Sequence, residues 1–135
     1  MTARWIVAGF LLAHAIVHVA YLAPRPPVTA GGPAWPFDLG NSWLLGQLGA
    51  GTHLTRWLGI ALVGGTLSGF ALAAAAALGI GAGGLWTTGI TLGAVSSLGL
   101  LALFFHPWLV LGVAIDAVVL WAALVARWTP DGLAS

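Results

Sequence analysis

Four apolar runs, each about twenty residues long, leave this chain few ways to fold. They cover approximately residues 5–23, 54–78, 85–105 and 107–128. A helix of about 20 residues rises about 30 Å, the thickness of the hydrocarbon core of a bilayer, and a helix satisfies its own backbone polar groups there. The sequence therefore predicts an all-α integral membrane fold, with four transmembrane helices in an antiparallel bundle and one membrane domain over 1–135. Composition agrees: 60% of residues are hydrophobic and 5% are charged, against about a quarter charged in ordinary soluble domains. The first expected partner is the lipid bilayer.

Punctuation between the runs is strong. Pro24-Arg25-Pro26-Pro27 ends the first, and Gly79-Ile-Gly-Ala-Gly-Gly84 makes a short hairpin turn between the second and third. His106-Pro107 separates the third from the fourth, with Pro107 suited to a first helical turn. A polar tail, Thr129 to Ser135, follows the last run. The first run begins after Arg4 like a signal peptide, but it is longer than a signal core and lacks a small-x-small cleavage site, so it is expected to be retained.

The connection from Arg25 to about Thr52 is aromatic and apolar, unlike a solvated linker. Asn41 or Ser42 can cap a short interfacial or re-entrant helix carrying Trp43, Leu44, Leu45 and Leu48. Six of the eight tryptophans fall in two groups, Trp5, Trp86 and Trp128 at the side of the termini and Trp43, Trp57 and Trp108 at the other, as amphipathic rings at two headgroup layers do, while Trp35 lies in the connection and Trp121 inside a span. Arginine counting does not orient the chain, because Arg4 and Arg127 balance Arg25 and Arg56. The short tail and short loop on the terminal side favour termini facing the cytoplasm. The alanine-, glycine- and arginine-rich usage is similar to that of small bacterial four-helix membrane proteins, which implies the bacterial cytoplasmic membrane.

Absences narrow the chemistry. Without cysteine there is no disulfide, thiolate ligand or cysteine nucleophile. Four scattered arginines and no lysine offer no cluster for phosphate backbones, which excludes nucleic acid as a partner. Two Gly-x-x-x-Gly pairs, Gly65/Gly69 and Gly89/Gly93, allow close helix approach, either within the chain or in a homo-oligomer or larger membrane complex.

Against this background Asp116 is the conspicuous residue, a carboxyl in the middle of the fourth run, where charge is most expensive. Counting at 1.5 Å per residue puts Asp116 about 13 to 14 Å in from Pro107 and His14 about 15 Å in from Arg4, so both reach the same level from opposite sides. His18 lies one turn further on the face of His14, and Tyr21 continues that stripe. These four residues are the expected ligand-binding or relay site, with Asp116 accepting from His14 or His18. His53 and His106, nearer the surface, together with Trp35 and Trp43, are the expected gate or lid on the side of the long connection.

Other functions fit the same residues. His14, His18 and Asp116 are a nitrogen and oxygen donor set for a divalent metal, and haem ligation is a variant of that reading. A membrane-embedded enzyme acting on an apolar substrate is a third possibility, although no serine, cysteine or lysine stands beside them as a nucleophile. A structural or accessory subunit, with these groups bonding only across helices, is the fourth.

Overall fold

The computed structural model describes residues 2–27, 30–32, 35–82 and 84–130. These residues form helices and connecting segments, with no strand among them. Helix α1, Thr2–Val17, tightens into a 3-10 segment, His18–Leu22, before the prolines. A short helix α2, Trp43–Gln47, precedes α3, Thr52–Ala77, and α4, Leu85–Leu103. The last helix, α5, spans Val110–Leu120, with a 3-10 turn before it, Pro107–Leu109, and a π turn after it, Trp121–Val125. Four stretches, Thr2–Leu22, Thr52–Ala77, Leu85–Leu103 and Pro107–Val125, are long and apolar enough to cross a membrane. The first and second begin two to three residues earlier than expected from hydropathy alone. The polar tail extends past the described residues at 131–135.

The short second helix is held by its cap. Ser42 Oγ accepts from Leu45 N–H at 3.2 Å and donates to the carbonyl of Leu103 at 2.6 Å, while Trp43 Nε1 donates to Ala102 O at 2.7 Å. The connection is thus tied to the last carbonyls of α4, which have no partner within their own helix. Ser42→Ala is expected to cost about 1 kcal/mol and to speed hydrogen exchange of the Leu45 amide about fivefold; an unchanged Leu45 rate counts against the cap.

At the end of α3, Gly79 N–H donates to Ala76 O and Ile80 N–H to Ala75 O, both at 2.9 Å. This is a Schellman ending, which needs a left-handed residue, and Gly79 supplies it with φ 81°. The chain then turns straight into α4, and α3 and α4 make the most intimate pair in the molecule. The glycines of both sequence pairs meet there. A Cβ on Gly69 would strike the backbone of Gly93, and one on Gly89 would lie 2.6 Å from Ala73 N. The close approach that Gly69, Gly89 and Gly93 permit is used inside the chain.

Helix α3 lies between α1 and α4, and α5 packs on α4. Two apolar clusters fill the interior. One gathers Leu11, Ala15, Phe70, Ala73, Ile90 and Ala123, and the other Tyr21, Leu39, Val63, Leu100, Phe104 and Leu109. Near the junction of these clusters each long helix carries a buried polar residue: His14 and His18 on α1 and its 3-10 extension, Thr66 on α3, Ser97 on α4 and Asp116 on α5. Thr66 simply returns its hydroxyl to Leu62 O at 2.9 Å. The other four reach across helices or to a neighbouring turn.

At the opposite end, Trp86 Nε1 donates to Trp128 O at 2.9 Å, and their rings meet edge to face. Trp86 is buried rather than at the perimeter, whereas Trp121 points outward from the π turn. Arg4 Nε donates to Pro130 O at 3.3 Å, which brings the start of α1 and the last described residue together.

Candidate binding site

Asp116 is fully buried, and its Oδ1 accepts from His14 Nε2 at 2.8 Å. The two residues are 102 positions apart, so the equal depths read from either end of the chain correspond to an actual contact. Asp116 Oδ2 is equally buried and has no hydrogen-bond partner. The His14 ring is held from two further sides, edge to face against Phe70 of α3 at 5.2 Å and nearly parallel to Phe10 at 6.4 Å. Phe70 in turn packs where Gly93 has no side chain, since a Cβ there would lie 2.9 Å from the Phe70 ring. The close α3 and α4 pairing therefore seats the ring that seats the histidine.

His18 is turned elsewhere. Its Nδ1 lies 3.1 Å from the carbonyl of His14, and because a carbonyl only accepts, Nδ1 carries the proton. Nε2 is then the acceptor for the Ser97 hydroxyl at 2.8 Å. This carbonyl stands where the α ladder gives way to the 3-10 segment, so the side chain supplies a bond just where backbone pairing changes register. His14 and His18 remain ring neighbours, edge to face at 5.3 Å, without a direct hydrogen bond between the rings.

Helices α1 and α5 meet through the His14 and Asp116 side chains, and residues of both line two cavities. One, of about 230 Å³, is lined by His14, His18, Tyr21, Phe37, Trp108 and Ile115, among others. The other, of about 270 Å³, is almost wholly apolar and lies among Val7, Phe10, Leu11, Trp86, Val119 and Trp128. On α1 His14 is the first residue of the more polar set, directly after the apolar set ending at Leu11, and on α5 Asp116 falls between Ile115 of the one and Val119 of the other. The pair forms a polar strut at the boundary of the two cavities.

Tyr21 is buried in the wall of the first cavity, with its hydroxyl unpartnered. Of the residues expected as gate or lid, Trp35 packs against Phe37 with ring centroids 5.5 Å apart, and Trp43 is fixed to α4 by its indole nitrogen. Neither lines this cavity; Phe37 of the same connection does. His53 is exposed in the first turn of α3. His106 caps the 3-10 turn before α5, its Nδ1 accepting from Trp108 N–H at 3.3 Å. Among the described residues no hydrogen bond joins His53 or His106 to the inner histidines.

Among the described residues no group of three histidine and carboxylate side chains is gathered as a metal site would require. The reason is geometric: His14 meets Asp116, but both ring nitrogens of His18 are committed to the His14 carbonyl and to Ser97. Ser97 and Phe70 were missed as site residues by sequence reasoning. A serine in an apolar helix usually bonds back to its own turn, as Ser68 does to Gly64 O at 2.8 Å. The depth count that pairs His14 with Asp116 also pairs Ser97, six residues before the end of α4, with His18, four before the end of its 3-10 segment.

Compared with known proteins, the chain matches no family model, no curated protein and no solved structure.

Proposed function

We propose that the chain is a multi-pass membrane protein, its four long helices forming an antiparallel bundle, and that it binds a small, mainly apolar molecule carrying one hydrogen-bonding group. The ligand enters from the lipid between α1 and α5 and meets His14. The observation that carries this reading is the placement of His14 in the wall of a cavity of about 230 Å³ while its Nε2 is held by fully buried Asp116. Large apolar side chains such as Ile16, Leu111 and Val118 are exposed on the outer faces of these helices, as lipid contact favours.

The pair prepares one polar contact in an apolar setting. With Nε2 bonded to the carboxylate, the ring orientation is fixed, and His14 Nδ1 has no partner among the described residues. Pockets for whole drug-sized molecules span roughly 300–1,000 Å³, so this cavity suits a single small ring or the end of a longer molecule. A proton relay is the less favoured form of the same reading. The hydrogen-bond series from Asp116 to Ser97 passes through the His14 backbone carbonyl, which accepts a bond but hands no proton onward.

The test compares two probes of one shape, 4-propylphenol and propylbenzene, binding to protein in lipid nanodiscs by saturation-transfer NMR. The phenol is expected to bind about tenfold more tightly than its partition into lipid explains, the value of one buried hydrogen bond of about 1.4 kcal/mol. His14→Phe combined with Asp116→Leu should erase the preference without leaving a carboxyl unpaired. Equal binding of both probes, or a preference that survives the double substitution, would make the pair purely architectural.

A further inference from the structure

A third, larger cavity of about 450 Å³ shares Tyr21 and Phe37 with the cavity lined by His14. Its character differs from that of the His14 cavity. Its wall includes Arg25, Asp38 and Arg56, together with Leu22, the last residue of the first apolar stretch, and Ile60 of α3. Arg25 Nη1 pairs with Asp38 Oδ2 at 3.3 Å, and Asp38 Oδ1 accepts from Gly40 N–H at 2.9 Å. Both carboxylate oxygens are therefore engaged, and one arginine neutralises them. Arg56 has no carboxylate partner among the described residues. Summing the wall, two arginines less one aspartate leave a single positive charge. Tyr21 adds a buried hydroxyl with no hydrogen-bond partner.

The height of this cavity is also informative. Arg56 is the fifth residue of α3, about 6 Å from its start, and Leu22 closes the facing stretch, so the cavity lies where apolar spans give way to polar chain. Charged side chains at that level meet lipid headgroups. We infer that this cavity binds a singly charged phosphodiester, with Arg56 as its main cation and Arg25, held against Asp38, as the second. The site is separate from the His14 cavity and shares with that reading only the placement of the chain in a membrane. A phospholipid headgroup and a soluble phosphate ester present the same anion, and the experiment separates them.

Full-length protein in an uncharged maltoside detergent is offered equimolar phosphatidylglycerol and phosphatidylcholine with identical acyl chains, and adducts are counted by native mass spectrometry. One phosphatidylglycerol per chain is expected, at least fivefold over phosphatidylcholine. Arg56→Gln should reduce it to the phosphatidylcholine level, and Arg56→Lys should restore it. Asp38→Asn, which keeps an oxygen for Gly40 and removes the negative charge, should strengthen retention, a gain that no loss of folding imitates. sn-Glycero-3-phosphoglycerol, the soluble phosphodiester with the same single charge, is titrated separately; saturable binding that depends on Arg56, without a phosphatidylglycerol adduct, assigns the same site to a soluble ester. The inference is overturned if Arg56→Gln leaves phosphatidylglycerol retention unchanged, or if neither the lipid nor the soluble ester binds above the phosphatidylcholine level.

Discussion

His14→Ala is expected to destabilise the protein by about 2–3 kcal/mol, and Asp116→Leu by less than about 1 kcal/mol, although both remove the same hydrogen bond. The asymmetry comes from what each leaves behind. Without His14, fully buried Asp116 has neither oxygen bonded, because Oδ2 already lacks a partner. The imidazole cavity beside Phe70 and Phe10 is emptied at the same time. Without Asp116 the costly group is gone, the somewhat larger leucine occupies its space, and His14 keeps access to the adjoining cavity. The double variant should recover at least half of the His14→Ala loss. Unfolding equilibria in bicelles measure all three, and equal single costs or an additive double would count against the stranded-carboxyl account.

Gly69→Ala is expected to be worse, at more than about 3 kcal/mol, because the added methyl meets the Gly93 backbone, which has no rotamer to change. Gly65→Ala, whose methyl meets the Ser96 side chain instead, should cost about 1 kcal/mol. Gly64→Ala has nothing within 4 Å and should be neutral or stabilising by up to about 1 kcal/mol. The ordering in one unfolding assay is the test. Comparable losses at Gly64 and Gly69 would locate the effect in helix propensity rather than in the contact between α3 and α4.

Much of this arrangement is legible in residue order, for a physical reason. For apolar stretches of the length a bilayer would set, position along the stretch reads as depth, and depth puts Asp116 level with His14. The cap at Ser42 is legible because a serine before an apolar helical turn has few better uses. Lateral neighbourhood is different, since depth says nothing about which faces meet. That Ser97 answers His18, that Phe37 rather than Trp35 lines the cavity, and that Gly69 meets Gly93 all depend on the rotation of each helix about its axis. The α3 and α4 faces are apolar nearly all round, and such a pattern fixes no rotation. The 3-10 changeover at His18 and the π turn at Trp121 are also silent in the sequence, because neither carries a proline or glycine to announce it.

The strut between α1 and α5 has a consequence for biogenesis. It closes a loop of 102 residues between the first and last long helices, while the tight α3 and α4 pairing needs only the short turn between them. The hairpin of α3 and α4 can assemble as soon as it is inserted, with Phe70 and Ser97 already in position for the two histidines. Until α5 arrives, His14 has no carboxylate to bond. A chain halted before Asp116 would hold an imidazole without its carboxylate, and in the proposed membrane setting that unanswered polar group marks an unfinished molecule.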